Sequence, residues 1–146
     1  MVNYMLLLHV LGATIWTGGH LVLSLVILPP VLRDRDVAAL QRFESGYERL
    51  GIPALVIQVI TGLYLAHHYL SPSLWFSFES RAATLIAVKL LLLAATVGLA
   101  IHARLRLIPR LSPDNLRTLA YHIVAVTVIA VLFVVVGVSF RTGVFF

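Results

Sequence analysis

Polar residues withdraw from four stretches of the chain, 4–28, 52–70, 82–103 and 119–140, and crowd into the intervals between them. Each stretch has about the twenty apolar residues that a helix needs to cross a hydrocarbon core of about 30 Å. The punctuation agrees. Pro29 and Pro30 are expected to end the first helix, and Pro53 to sit in the first turn of the second. Ser71 and Pro72 close that one, and Pro109 with Ser112 and Pro113 separates the third from the fourth. In the first interval Val37, Leu40, Phe43, Tyr47 and Leu50 recur every three or four positions. This pattern reads as a short amphipathic helix at the inner interface between spans one and two, or as the solvated start of a long second helix. The pattern predicts an all-α, integral membrane four-helix bundle forming a single domain over 1–146, without internal repeats or low-complexity segments.

Composition supports this. Of the 146 residues 60% are hydrophobic and 12% charged, and the mean hydropathy is +0.99. The first apolar run continues well past the length of a signal h-region and has no basic n-region before it, which predicts a retained membrane helix. There is no cysteine, and methionine occurs only at positions 1 and 5. Disulfides, thiolate metal sites and thioether ladders for soft ions are therefore excluded.

The pI of about 10.2 does not point to nucleic acid, because the basic residues are confined to particular loops. Arg33, Arg35, Arg42 and Arg49 lie between spans one and two, and Arg104, Arg106, Arg110 and Arg117 between spans three and four. At the opposite ends stand only Arg81 and Arg141. The positive-inside rule places the two arginine-rich loops in the cytoplasm and both termini outside, as expected for a bacterial inner membrane protein.

With that topology the six histidines fall into two layers, each about 6–14 Å from the bilayer centre. His9, His67 and His68 belong to the outer leaflet; His20, His102 and His122 belong to the inner one. His9 and His20 are eleven residues apart, three turns plus about 20°, so they share one face of span one at levels about 16 Å apart. An ionisable group at such depth is costly unless it faces the bundle and finds a partner, which makes each histidine a functional candidate. The alternative for each is an interhelical hydrogen bond with no further role.

Neutral imidazole ligates haem iron, copper and zinc. An inner site would draw its axial pair from His20, His102 and His122, and an outer one would join His9 to whichever of His67 and His68 faces the bundle. In a simple up-and-down bundle span four neighbours both one and three, so His122 can reach either partner. The same three inner histidines are also a candidate tri-histidine metal site. Gly12, Gly18, Gly19 and Gly98 would let a macrocycle approach, although tight helix packing uses glycines in the same way. Arg104 and Arg106 are candidates for pairing with haem propionates, or are simply topological charge. Lys89, inside span three on its outer half, is the candidate catalytic residue, as a proton-transfer group or the partner of an anionic ligand. The alternative is a lysine that snorkels to the interface.

The runs LHVLGATIWTGG, ILPPVL, RFESGYERLG, QVITGLYLA and VKLLLL resemble the copper resistance D (CopD) membrane-domain family over spans one to three. The His9-to-Trp16 spacing and Lys89 in its KLLLL context also resemble the HemJ-type protoporphyrinogen oxidases. That second resemblance implies that His9 corresponds to their first-helix histidine used in haem b binding and activity, and Lys89 to their essential third-helix lysine. Pro30 stands where those oxidases usually carry arginine, and the inner histidine set differs from theirs. The copper-resistance resemblance implies copper passage or handling at the inner membrane.

Copper(I) relays favour methionine and cysteine, whereas histidine-only chemistry suits haem. The leading expectation is thus a membrane haem b protein, with one or two haems, performing electron transfer or small-molecule redox chemistry with an unidentified partner or substrate. Copper is the second candidate cofactor. The alternatives are a haem-free copper-binding or copper-import protein, a protoporphyrinogen-oxidising enzyme, and a structural subunit. Self-association is compatible with a chain of this size, and no segment identifies an interface.

Overall fold

The computed structural model describes residues 1–144. Helix α1 (Val2–Val22) continues through a wide turn at Leu23–Ile27 into α2 (Leu28–Asp34). Helices α3 (Val37–Tyr69), α4 (Arg81–His102) and α5 (Leu116–Thr142) follow, with no strand among the described residues. Four helical runs, Val2–Asp34, Val37–Tyr69, Arg81–Arg110 and Leu116–Thr142, are long and apolar enough to cross a membrane. Leu7, Leu11, Leu25, Ile60, Leu91 and Leu105 are each more than half exposed on their outer faces. Lipid is the solvent that covers such a surface without cost; the protein is integral to the membrane.

Pro29 and Pro30 do not end the first helix. The turn ahead of them widens to a π-helical one, in which the Leu28 N–H reaches the Leu23 carbonyl five residues back. The helix then restarts with the two prolines in its first turn, where a missing N–H costs nothing. The same device recurs before Pro109, where the Ile108 N–H reaches the Ala103 carbonyl. Pro53 likewise lies in the interior of α3 rather than in a first turn, and leaves the Arg49 carbonyl without its helical donor.

Of the two expectations for 37–50, the second holds: this segment is the start of a continuous 33-residue α3, about 50 Å long. Its apolar stripe faces protein through Leu40 and Phe43, while Leu50 is exposed. Leu40 is 1% exposed and packs with Leu28 and Val31 of α2 and with Leu116 and Leu119 of α5. Spans one and two are joined by a two-residue turn. Arg35 takes the left-handed conformation (φ 53°), and the Asp36 carboxylate caps α3 by accepting the Ala39 N–H at 2.9 Å.

Helix α3 packs on α1, α1 on α5, and α5 on α4, while α3 and α4 scarcely approach each other. Close approach fixes the first of these pairs: a Cβ on Gly12 would lie 2.9 Å from the Ala54 carbonyl oxygen. Hydroxyls join α1 to α5, with Ser24 and Thr127 at 2.6 Å and the Thr127 hydroxyl 3.2 Å from the His20 carbonyl. The bundle is thus a ring in the order two, one, four, three that stays open between spans two and three. Both termini lie at one end, here the termini end. The turn at Arg35 and the 108–115 segment form the other, the arginine end.

Candidate functional site

Helix α1 forms the floor of the opening between spans two and three. His9, Trp16 and His20 follow one another at seven and four residues, so they share a face within about 40°. The His9 ring packs on Gly62, where a Cβ would come within 2.9 Å of it. Its Nδ1 lies 2.9 Å from the Gln58 carbonyl oxygen and 3.1 Å from the Thr61 hydroxyl. A carbonyl oxygen only accepts, so Nδ1 carries the proton and Nε2 keeps a bare lone pair.

The same inference applies to three more histidines. His20 Nδ1 donates to the Trp16 carbonyl at 2.9 Å, leaving its Nε2 bare. His122 Nδ1 donates to the Thr118 carbonyl at 3.0 Å, so its Nε2 is the acceptor for His102 Nδ1 at 2.8 Å. His102 therefore also keeps a bare Nε2. The last two rings are stacked, their centroids 4.9 Å apart.

His67 and His68 are both exposed, and neither lines the two cavities of the opening. The phase of α3 explains this. Taking Gly62, which faces His9, as the reference, Tyr69 falls within about 20° of it, while His67 and His68 are displaced by about 140° and 120° to either side. Tyr69 accordingly lines the cavity in their place.

At the termini end a cavity of about 150 Å³ lies between α3 and α4 over this floor. Its walls are apolar, with Trp16, Leu55, Leu90, Leu93, Phe133 and Phe140 prominent. The polar groups among them are His9, Gln58, Tyr69, Lys89 and Arg141. Among the described residues no carboxylate lines it. Gln58 Oε1 is buried without a hydrogen-bond partner, and Gly137 leaves room beside Lys89, whose Nζ would be 3.4 Å from an added Cβ.

A second, larger chamber of about 650 Å³ opens toward the arginine end, lined by His20 and His122 together with Glu44, Tyr47, Glu48 and Arg104. Trp16 lines both cavities and stands between them, with its ring 4.4 Å from that of His20. Tyr47 seats itself in the notch left by Gly19, where a Cβ would collide with its ring. Its hydroxyl donates to the Trp16 carbonyl at 3.0 Å. Arg104, a candidate propionate partner on sequence grounds, makes an ion pair with Glu48 across the opening between α4 and α3.

His20, His102 and His122 are not gathered into one set. His102 and His122 form a pair and His20 stands on the chamber wall by itself, and among the described residues no three His, Asp or Glu side chains are grouped as a metal site. Sequence reasoning missed the Glu44 and Glu48 carboxylates. The signal was present, since two glutamates four apart with Tyr47 beside them share one face of a helix.

Residues 37–140 match the family model of copper resistance protein D. No curated protein and no solved structure matches the chain. The matched range takes in spans two, three and four, including both walls of the opening, and leaves out the LHVLGATIWTGG segment of span one. Since it covers well over half of the residues, the chain belongs to the copper resistance protein D (CopD) family of membrane proteins.

Proposed function

We propose that this CopD-family protein captures copper ions in the chamber at its arginine end and passes them on at the membrane. One observation carries this reading: His20 from span one, His122 from span four, and Glu44 and Glu48 from span two all line a single chamber. Imidazole nitrogen with carboxylate oxygen suits copper(II), and the absence of cysteine disfavours a copper(I) relay. The donors are distributed around the chamber rather than closed into a tight set, which suits transient capture better than storage. By the positive-inside rule, the arginines gathered at this end support a chamber on the cytoplasmic side of an inner membrane, with both termini outside.

Copper bound per chain in lipid nanodiscs, read by metal analysis and by the copper(II) electron paramagnetic resonance signal, tests the proposal. Stoichiometric binding with nitrogen hyperfine structure, lost in His20→Ala, is the expected result. Copper content unchanged in both His20→Ala and Glu44→Gln overturns it.

A second reading places haem b in the same chamber, where bound haem would supply one-electron chemistry. Its support is the volume, which falls within the range of cofactor pockets, and the bare Nε2 of His20. Against it, His122 already spends its Nε2 on His102, so a second axial nitrogen requires that contact to break, whereas copper(II) can be held by the His20 nitrogen and the carboxylates without it. An oxidised and dithionite-reduced absorption spectrum of the same sample separates the two readings: sharp reduced bands with iron favour haem, and a featureless visible spectrum with copper favours the first.

A further inference from the structure

The cavity at the termini end has no place in the copper reading, and its unpaired groups specify a different kind of ligand. Its volume of about 150 Å³ equals that of a protein cavity that holds one benzene molecule. One six-membered ring fits there, and a porphyrin does not. The apolar walls include the aromatic faces of Trp16, Phe133 and Phe140, suited to stacking on such a ring. Because α3 and α4 scarcely touch, a ligand can enter sideways from the lipid and leave an apolar tail outside.

The polar groups narrow the choice. His9 Nε2 is a bare acceptor, because Nδ1 donates to the Gln58 carbonyl. Gln58, which lines the cavity, carries a second acceptor, its buried and unpartnered Oε1. Lys89, half-buried on the cavity wall, is a donor that shares the cavity with no carboxylate among the described residues. Tyr69 and Arg141 are exposed, so the interior groups ask for hydroxyl protons at two positions and for an oxygen lone pair at a third. A fatty carboxylate offers lone pairs alone and would leave both acceptors unsatisfied, at a cost of about 1–3 kcal/mol each. A dihydroxylated aromatic ring supplies both kinds of group.

We infer that the cavity formed by His9, Gln58 and Lys89 between spans two and three binds the head group of a lipid-soluble quinol. One hydroxyl donates to His9 Nε2, the oxygen of the other accepts from Lys89 Nζ while its proton turns to Gln58, and the isoprenoid tail lies in the lipid. The inference is independent of what occupies the arginine-end chamber.

The test uses the full chain in nanodiscs carrying Trp75→Phe, so that Trp16 on the cavity wall is the remaining tryptophan. Decylubiquinol, kept reduced, is titrated against Trp16 emission, and dodecanoate is offered as competitor. The expected result is a saturable change in emission, weakened at least tenfold by Lys89→Met and by Gly137→Leu, and unaffected by dodecanoate. Gly137→Leu fills the space beside Lys89 while leaving every polar group in place, so it decides the matter if Lys89→Met fails to fold. No saturable response, displacement by dodecanoate, or undiminished binding in Gly137→Leu overturns the inference.

Discussion

The two cavities share a floor, a pair of walls and a partition, yet they are chemically opposed. The one at the termini end is small, lined by Lys89 and Arg141, and holds no carboxylate among the described residues. The one at the arginine end is about four times larger and brings two glutamates to two histidines. His9 and His20 present the same neutral tautomer, each fixed by a carbonyl on Nδ1. What their bare nitrogens can hold is therefore decided by the neighbours that spans two and three supply. A histidine alone identifies neither a metal nor an organic ligand.

The largest effect comes from removing the partition. Trp16 is 9% exposed and touches both cavities, so Trp16→Ala should cost about 3–5 kcal/mol. Chemical denaturation in mixed micelles measures the loss. In the surviving folded fraction, with decylubiquinol read by equilibrium dialysis because the Trp16 reporter is gone, copper and decylubiquinol should cease to bind independently, and independent binding there would show that Trp16 does not separate the sites.

Next in size is Gly62→Ala. The new methyl meets the His9 ring at 2.9 Å, and the ring is pinned by its bond to Gln58, so the substitution should cost about 1–3 kcal/mol through overpacking. It should weaken decylubiquinol binding and leave copper content unchanged. Loss of copper in this variant would mean that the two cavities are one functional unit.

His20→Ala should lower copper affinity by at least tenfold, about 1.4 kcal/mol, whereas Lys89→Met should leave it unaltered. Equilibrium dialysis against a copper(II) buffer provides the comparison. Equal losses in the two variants would erase the distinction between the cavities.

How much of this was legible beforehand differs between elements. The four spans follow from apolar run length alone, which is a property of the chain and the bilayer thickness. Helix ends were less accessible. The prolines at 29 and 30 are strong stop signals, and the π-helical turn that absorbs them leaves no mark in residue type. The stripe through Val37, Leu40 and Phe43 was visible, but whether lipid or protein covers it depends on where α2 and α5 end. The layering of histidines along the spans was readable, and their rotation about each axis was not. For α3 a single fixed contact, His9 on Gly62, sets the phase that turns His67 and His68 away. The opening between spans two and three, which creates both cavities, is a relation between helices and has no local signature.

The smallest effect is also the one whose sign separates two ligands. Arg104 and Glu48 form an ion pair whose side chains are 57% and 29% exposed, so breaking it should change stability by no more than about 1 kcal/mol. Arg104→Gln removes a positive charge from the rim of the chamber and frees a carboxylate facing His20 and His122. A copper(II) ion gains from both changes, and its affinity should rise severalfold at low ionic strength, the gain shrinking as salt screens the exposed charges. Haem responds in the opposite direction, because its propionates would lose a guanidinium partner and meet an unpaired glutamate. Measured by copper titration and by haem retention on the same variant, a rise in copper affinity supports cation capture at the arginine end. A fall in haem content with copper affinity unchanged transfers that chamber to the cytochrome reading and leaves the quinol site standing on its own.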